Sequence, residues 1–440
     1  MRAVLMAGGA GTRLRELTKD EIPKPMLPVE GKPILEWQIE ELKKYGFNHF
    51  TLIIGHLGEK VREYFGNGEK LGTCIDYILE ETPLGTAGAF FYLGKMLKES
   101  GDNEFFMAMG DIFFNFDVSR MVDFHHANDA FVTLLAHPNM HPYDSDLIKT
   151  ETDGRVLGFD SKSNTRDYWY DNLVNAGIFM MNAKICDYVP EPKKVKLEKE
   201  LISGILDKEK VYAYRTPEFI RDIGTVDRVE KTLEDIRSGL VEAKNLKNKQ
   251  KAIFLDRDGT VNVYNGFIAG ADALELEEGA AEAVRIINSS GYLAIMATNQ
   301  PVLARGETTF EEYYNIMNKM KTKLGEAGAY LDDIFFCPHH PDKGFAGEIP
   351  ELKIVCSCRK PKPGMLLAAA EKYNIDLSES WMIGDMTQDI KTAENAGTHS
   401  CLVRTGAAGS DGKFEVHPDL ICDNLLTAVK TIVLQHRKEE

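Results

Sequence analysis

Residues 253–261 read IFLDRDGTV: an apolar run that ends on two aspartates one residue apart and opens into Gly259-Thr260. A short apolar run closed by a turn signal reads as a buried strand. Asp256 at its end can attack phosphorus, and Asp258 can protonate the leaving oxygen and then activate water. A carboxylate approaches a phosphate dianion only with help, which implies Mg2+ at this strand end. A calcium-type loop is excluded, because its ligand spacing is absent.

Working outward, the same grammar recurs: a β-branched strand, a Gly- and Asp-rich loop, an amphipathic helix. Strands are expected at 252–255, 292–298, 333–337, 380–383 and 400–403, and before them at 2–7, 50–54, 74–79, 105–109 and 130–136. Helices are expected at 33–45, 57–65, 86–99 and 119–127. Strands alternating with helices predict an α/β protein of two Rossmann-like domains, each with a parallel or mixed sheet covered by helices on both faces. The polar, Lys-rich stretch IRSGLVEAKNLKNKQK at 236–251 shows no convincing apolar face and reads as the link between domains at 1–237 and 251–440, with the linker proper at 238–250.

The chain has 440 residues, enough for two domains with well-buried cores. Its net charge of −16 disfavours general binding to nucleic acid. No apolar run is long enough to span a bilayer, and the first residues, MRAVLMAGGAGTR, are too briefly apolar for a signal peptide, so the expectation is a cytoplasmic protein with no membrane partner. Seven cysteines in such a compartment argue against a disulfide framework. Three of them cluster: CPHHP at 337–341 is followed by CSCRKP at 356–361. Cys-x-His and Cys-x-Cys supply four ligands for tetrahedral Zn2+, either His339 or His340 completing the set, against the plainer reading of a few buried thiols.

A second phosphate-binding pattern lies at the N-terminus. AGGAGTR at 7–13 follows an apolar strand, so that Gly8, Gly9, Gly11 and Thr12 can ring a polyphosphate with backbone N–H groups while Arg13 adds charge. It is not a Walker A loop, since no Gly-Lys-Ser/Thr closes it. PKPMLPV at 23–29 holds Lys24 between two prolines in an extended segment.

GGAGTRL followed by PKPMLPV resembles the signature of the sugar-1-phosphate nucleotidyltransferases, and further motifs follow in that family's order. PLGTAG at 83–88, with Gly85 and Thr86, resembles its base-recognition loop, and MGD at 109–111 its metal aspartate. NAGI at 175–178 resembles its sugar-binding strand, and RDIGT at 221–225 the segment carrying its second metal aspartate. The resemblance spans residues 1–235 and implies that a sugar-1-phosphate oxygen attacks the α-phosphorus of an NTP as pyrophosphate leaves. Asp111 and Asp222 are then implied to hold Mg2+, Arg13 and Lys24 to neutralise the departing charge, Lys162 to grip the sugar phosphate, and Asn175 and Gly177 to bind the sugar. One departure stands out: the family's Phe-x-Glu-Lys-Pro reads FDSKS at 159–163, so its sugar-binding glutamate becomes Ser161, with Asp160 and Asp171 as candidates to replace it. Glu80, three residues before the loop proline, takes the base-contacting position. An ionised carboxylate only accepts hydrogen bonds, guanine offers N1–H and N2–H2 on one edge, and adenine lacks that pair, so Glu80, or Glu81 beside it, favours GTP.

The LDRDGTV stretch in turn resembles the haloacid dehalogenase (HAD) phosphatases. Thr298-Asn299-Gln300 would bind phosphoryl oxygens, Arg359 and Lys360 supply cations, and Asp385, with Asp389 behind it, would complete a Mg2+ site with Asp256 and Asp258. The cysteine pattern beside CRKPKPGM resembles that of the heptose bisphosphate phosphatases and their histidinol-phosphatase cousins, which implies structural Zn2+ on Cys337, His339, Cys356 and Cys358, with Arg359 facing a distal phosphate. Here too there are departures: TNQSGIARG becomes TNQPVLARG, placing Pro301 and Val302, and Met386 stands where a lysine is common. Together the two resemblances imply successive steps on small molecules: dephosphorylation of D-glycero-D-manno-heptose 1,7-bisphosphate, then transfer of GMP from GTP to give GDP-heptose. The alternatives are a mannose-1-phosphate guanylyltransferase joined to an unrelated phosphatase, and a regulatory binder of nucleotide sugars whose transferase domain is inactive. Self-association is left open.

Overall fold

The apolar run RAVLMA is the central strand of a nine-stranded mixed sheet in the computed structural model, which describes residues 1–8 and 14–439. The strands are β1 (Arg2–Ala7), β2 (His49–Ile54), β3 (Cys74–Leu79), β4 (Glu104–Met109), β5 (Val132–His137), β6 (Leu147–Thr150), β7 (Val156–Asp160), β8 (Val174–Asn182) and β9 (Val211–Arg215). They are ordered β7-β6-β8-β4-β1-β2-β3, with β5 beside β8 and β9 beside β5. Strands β4, β1, β2 and β3 run parallel, and β8 runs antiparallel to β4, β5 and β6. Parallel strands covered on both faces must be apolar on both faces, and Ala3, Val4 and Leu5 of β1 are all fully buried.

The second sheet is wholly parallel: β10 (Lys251–Leu255), β11 (Tyr292–Asn299), β12 (Asp333–Cys337), β13 (Trp381–Gly384), β14 (His399–Val403) and β15 (Leu420–Cys422), in the order β12-β11-β10-β13-β14-β15. The strand that opened the sequence reading, β10, is central, between β11 and β13. In an open parallel sheet ligands bind beyond the carboxyl ends of the strands, which is where Asp256, Thr298 and Asp385 fall.

The chain divides into two units. The first comprises Met1–His137, Asp146–Ser161 and Leu173–Asn245, and the second comprises Pro138–Ser145, Lys162–Asn172 and Leu246–Glu440. Two N-terminal segments thus belong to the second unit. There Trp169 packs on the core, the Tyr170 backbone N–H donates to Thr322 (3.1 Å), and Lys321 pairs with Asp171 (2.7 Å).

The α/β architecture agrees with the sequence reading, and the expected strand bounds differ from the observed ones by a residue or two. Strands β6, β7, β9 and β15 and the ribbon of Ile112–Asn115 with Phe219–Asp222 were not anticipated. The expected linker is more structured than its polarity implied. Helix Val226–Arg237 runs into it, helix Leu240–Ala243 lies inside it, and Val241, Asn245, Leu246 and Gln250 are buried. Among the described residues no helix is long and apolar enough to cross a membrane.

Candidate active sites

In the second unit, three carboxylates converge because neighbouring strands end together. Oxygens of Asp256, Asp385 and Asp389 lie within 4.8 Å of one another, all on buried residues. The Lys360 ammonium, also buried, bridges Asp256 (2.8 Å) and Asp389 (2.6 Å). Burial alone would lower the lysine pKa, but the two carboxylates overrule it and hold it above its ordinary value. Burial and the charge of Asp256 push Asp385 up to about 8, and the same two causes raise Asp389. One oxygen of Asp385 accepts from the Ala407 N–H (2.7 Å), while the other is buried with no hydrogen-bond partner among the described residues. Three carboxylates against one ammonium, with an orphaned oxygen, form a donor set that suits a divalent cation. Gly259 is required beside it: φ is +77°, and a Cβ would stand 2.4 Å from an Asp385 oxygen.

Asp258 is not part of that cluster, contrary to expectation, because its neighbour claims it. The buried Arg257 guanidinium donates to both Asp258 oxygens (2.9 Å each), and Asn262 and Gln300 each add a bond of 3.2 Å. Sequence reading passed over Arg257, since a residue between two functional aspartates reads as a spacer. Thr298 accepts from Gln300 (2.9 Å). Asn299 exchanges hydrogen bonds with the Lys360 backbone (3.0 and 3.2 Å), so its amide fixes the segment that carries the lysine. Pro301 fits at the first turn of helix Pro301–Ala304, where no N–H is needed, and Val302 is buried. The Met386 N–H donates to Asp389 (3.1 Å), opening helix Thr387–Ala396.

Cys337, His339, Cys356 and Cys358 bring one donor atom each to within 4.8 Å of one another. The sulfur pairs lie 3.2–3.5 Å apart and His339 Nδ1 is 3.3 Å from Cys358 Sγ, close to the edge of about 3.8 Å that Zn–S bonds of about 2.3 Å give a tetrahedron. His340 instead turns to Arg305 (3.5 Å). Arg359 donates to the His339 carbonyl (3.1 Å) from the same loop.

In the first unit, Lys24 is buried and ion-paired to Asp111, with Asp222 at 3.6 Å. Asp111 follows β4, and its carbonyl accepts from the Ile223 N–H (2.9 Å), which ties it to the segment holding Asp222. Arg228, also unanticipated, donates to Asp222 (2.5 Å). Gly8 lies against Glu80: a Cβ on Gly8 would be 2.9 Å from Glu80 Oε2, so a side chain there would push the carboxylate aside. Burial raises the Glu80 pKa, and its Oε1 is buried with no hydrogen-bond partner among the described residues. Gly85 (φ +79°) and Thr86 face the 195–197 segment, where Thr86 accepts from the Leu197 N–H (2.7 Å). Asn175 and Gly177 lie on β8, and Asn175 Oδ1 accepts from the Gly177 N–H (3.1 Å). Lys162 falls in the second unit, where its ammonium faces Asp144 (3.4 Å). Asp171 is in that unit too. Gly9, Gly11, Thr12 and Arg13 lie outside the described residues.

Two phosphate-handling sites on two α/β sheets define an enzyme with a transferase unit and a phosphatase unit. The chain belongs to the nucleotidyl transferase family, whose model matches residues 2–239, and joins to it a HAD-hydrolase-like region matched over 357–428. Among curated proteins it is similar to the D-glycero-beta-D-manno-heptose-1,7-bisphosphate 7-phosphatase of Yersinia pestis, 39% identical over 42% of this chain and 97% of that protein. The Salmonella typhi protein of the same name is 43% identical over 35% of this chain and 81% of its own length. Among solved structures, HddC from Yersinia pseudotuberculosis complexed with GMP-PN is 23% identical, with 53% of this chain and 99% of that one covered and a TM-score of 0.46.

Proposed function

We propose that the chain carries out two successive steps of nucleotide-activated heptose synthesis. The second unit removes the 7-phosphate of D-glycero-D-manno-heptose 1,7-bisphosphate, and the first joins the resulting heptose 1-phosphate to GMP from GTP, releasing pyrophosphate. For the phosphatase, the reading is supported by the 39% identity over nearly the whole length of the Yersinia pestis relative. For guanine, the observation that carries it is the Glu80 carboxylate, whose Oε2 lies against Gly8 and whose Oε1 is buried with no hydrogen-bond partner among the described residues: a buried acceptor left unpaired is costly, and the N1–H and N2–H2 edge of guanine supplies donors.

In the phosphatase step Asp256 attacks the 7-phosphorus, the sugar oxygen leaves with a proton from Asp258, and water then releases phosphate from the aspartyl-phosphate. Lys360 balances charge on the transferring group and on the Asp256 carboxylate. In the transfer step Lys24 and Arg13 neutralise the departing pyrophosphate, and the rest is alignment. Mg2+ held by Asp256, Asp385 and Asp389, and by Asp111 and Asp222, supplies further charge neutralisation when bound, and Zn2+ on Cys337, His339, Cys356 and Cys358 orders the loop near Arg359.

The test is a one-pot assay in which each anomer of heptose 1,7-bisphosphate is supplied with Mg2+ and each NTP in turn, with products read by mass spectrometry. GDP-heptose from one anomer is the expected product. Phosphate release without any nucleotide sugar would overturn the assignment of the transferase substrate, and equal use of ATP and GTP would overturn the role given to Glu80.

A further inference from the structure

The sequence leaves the transferase unit without a glutamate at position 161, and the fold brings another one to the sugar-binding strand. Residues Leu197–Ile202 form a π-helix, a rare conformation that recurs at functional sites. Its Glu198 is half-buried and accepts a hydrogen bond from Asn175 Nδ2 (3.0 Å). Since Asn175 Oδ1 already accepts from the Gly177 N–H (3.1 Å), the Asn175 amide is fixed at both ends between β8 and the π-helix. The segment is tied on its other side to the 83–88 loop. Val195 N–H donates to the Leu84 carbonyl (2.9 Å), Ala87 N–H to the Val195 carbonyl (3.0 Å) and Leu197 N–H to Thr86 (2.7 Å). Glu198 therefore stands between the loop assigned to the base and the strand assigned to the sugar. The next residue, Lys199, donates to Ser161 Oγ (2.7 Å), at the end of the segment where the family's glutamate is missing.

We propose that Glu198 is the carboxylate that selects the sugar hydroxyls in the transferase unit, with Lys199 as the cation beside it, and that this Glu-Lys pair takes over the role vacated at Ser161. The proposal rests on the transferase reading above. A carboxylate offers about four acceptor sites, and Asn175 occupies one of them, which leaves acceptor capacity for a vicinal diol. Burial raises the Glu198 pKa, as expected of a carboxylate withdrawn from water and short of donors. Asp171, one of the two substitutes the sequence suggested, is taken up by Lys321 in the second unit.

The experiment compares the full-length wild type with Glu198→Gln and Lys199→Met. It measures steady-state transfer from GTP to heptose 1-phosphate and to mannose 1-phosphate, and calorimetric binding of GTP and of each sugar phosphate alone. The side-chain amide introduced by Glu198→Gln can still accept from Asn175, so the fold around β8 is retained. The expected result is at least a tenfold rise in KM and Kd for the sugar phosphate in Glu198→Gln, with GTP affinity within twofold of wild type, and a smaller rise in Lys199→Met. Unchanged sugar-phosphate constants overturn the proposal, as does an equal loss of GTP affinity, which would make Glu198 a structural residue. A wild type that binds the sugar phosphates through Glu198 but transfers nothing keeps this proposal and removes the catalytic reading. A wild type that binds none of them removes both.

Discussion

Lys360 sits fully buried between Asp256 and Asp389, and a buried charge is tolerated only while its partners remain. Under the proposed mechanism, replacing Asp256 by Asn removes the nucleophile and one of those partners, so phosphate release should fall by at least about a thousandfold, measured by phosphate-coupled assay. Retained release would refute the aspartyl-phosphate route. Arg257 holds Asp258 from a position that is 1% exposed. Arg257→Met should destabilise the second unit by about 1.5–3 kcal/mol, the worth of hydrogen bonds to a charged group, since Asp258 keeps its bonds from Asn262 and Gln300; this is read as a lowered Tm, and turnover should fall as well. Glu80 gives a pH prediction. Burial raises its pKa, so it protonates at a higher pH than an ordinary glutamate, and a protonated carboxyl loses one acceptor for guanine. KM for GTP should be constant above that raised pKa and climb as pH falls through it, whereas Glu80→Gln should flatten the profile. Asp111, Asp256 and Asp385 were legible in the sequence because each follows closely on an apolar strand, whereas Asp222, at the end of FIRD, came only from the motif order. Arg257, Arg228 and Glu198 were not legible, because a charged residue beside other charged residues reads as solvated surface until the fold brings it to a partner.

Elements were legible where burial on both faces forced an uninterrupted apolar run, as in β1 and β10. β9 reads VYAYR and β6 reads LIKT, and such half-polar strands give no comparable signal. The linker at 238–250, inside which the chain passes between the units at 245/246, makes the same point in reverse: buried Val241 and Leu246 are too few and too widely spaced to show a face among the lysines. The Cys/His cluster was legible from spacing, and the fold decides between the two histidines by turning His340 to Arg305. Purified protein should contain about one zinc per chain by atomic emission, and Cys358→Ser or chelation should raise hydrogen exchange across 338–358. Protein free of zinc with a protected loop would show that the four side chains hold it unaided.

At the scale of the molecule, Asp111 and Asp222 lie in the first unit and Asp256, Asp385 and Asp389 in the second, while Lys162, given to the transferase by resemblance, falls in the second. Asp111→Asn should therefore abolish nucleotidyl transfer and leave phosphate release intact, and Asp256→Asn the reverse. Phosphate release is read on the bisphosphate and transfer on the sugar 1-phosphate supplied directly, and joint loss from either single change would contradict that independence. Trp169 packs on the core of the second unit while half-buried, so Trp169→Ala should lower that unit's stability by about 1–3 kcal/mol, below the range for a fully buried aromatic, as seen in calorimetric unfolding. Trp169 comes from sequence that lies between stretches of the transferase, and the chain passes from one unit to the other at 137/138, 145/146, 161/162, 172/173 and again at 245/246. A single cut through the chain therefore cannot hand each unit all of its segments: severed anywhere, one half would carry off strips of sequence that lie folded in the other.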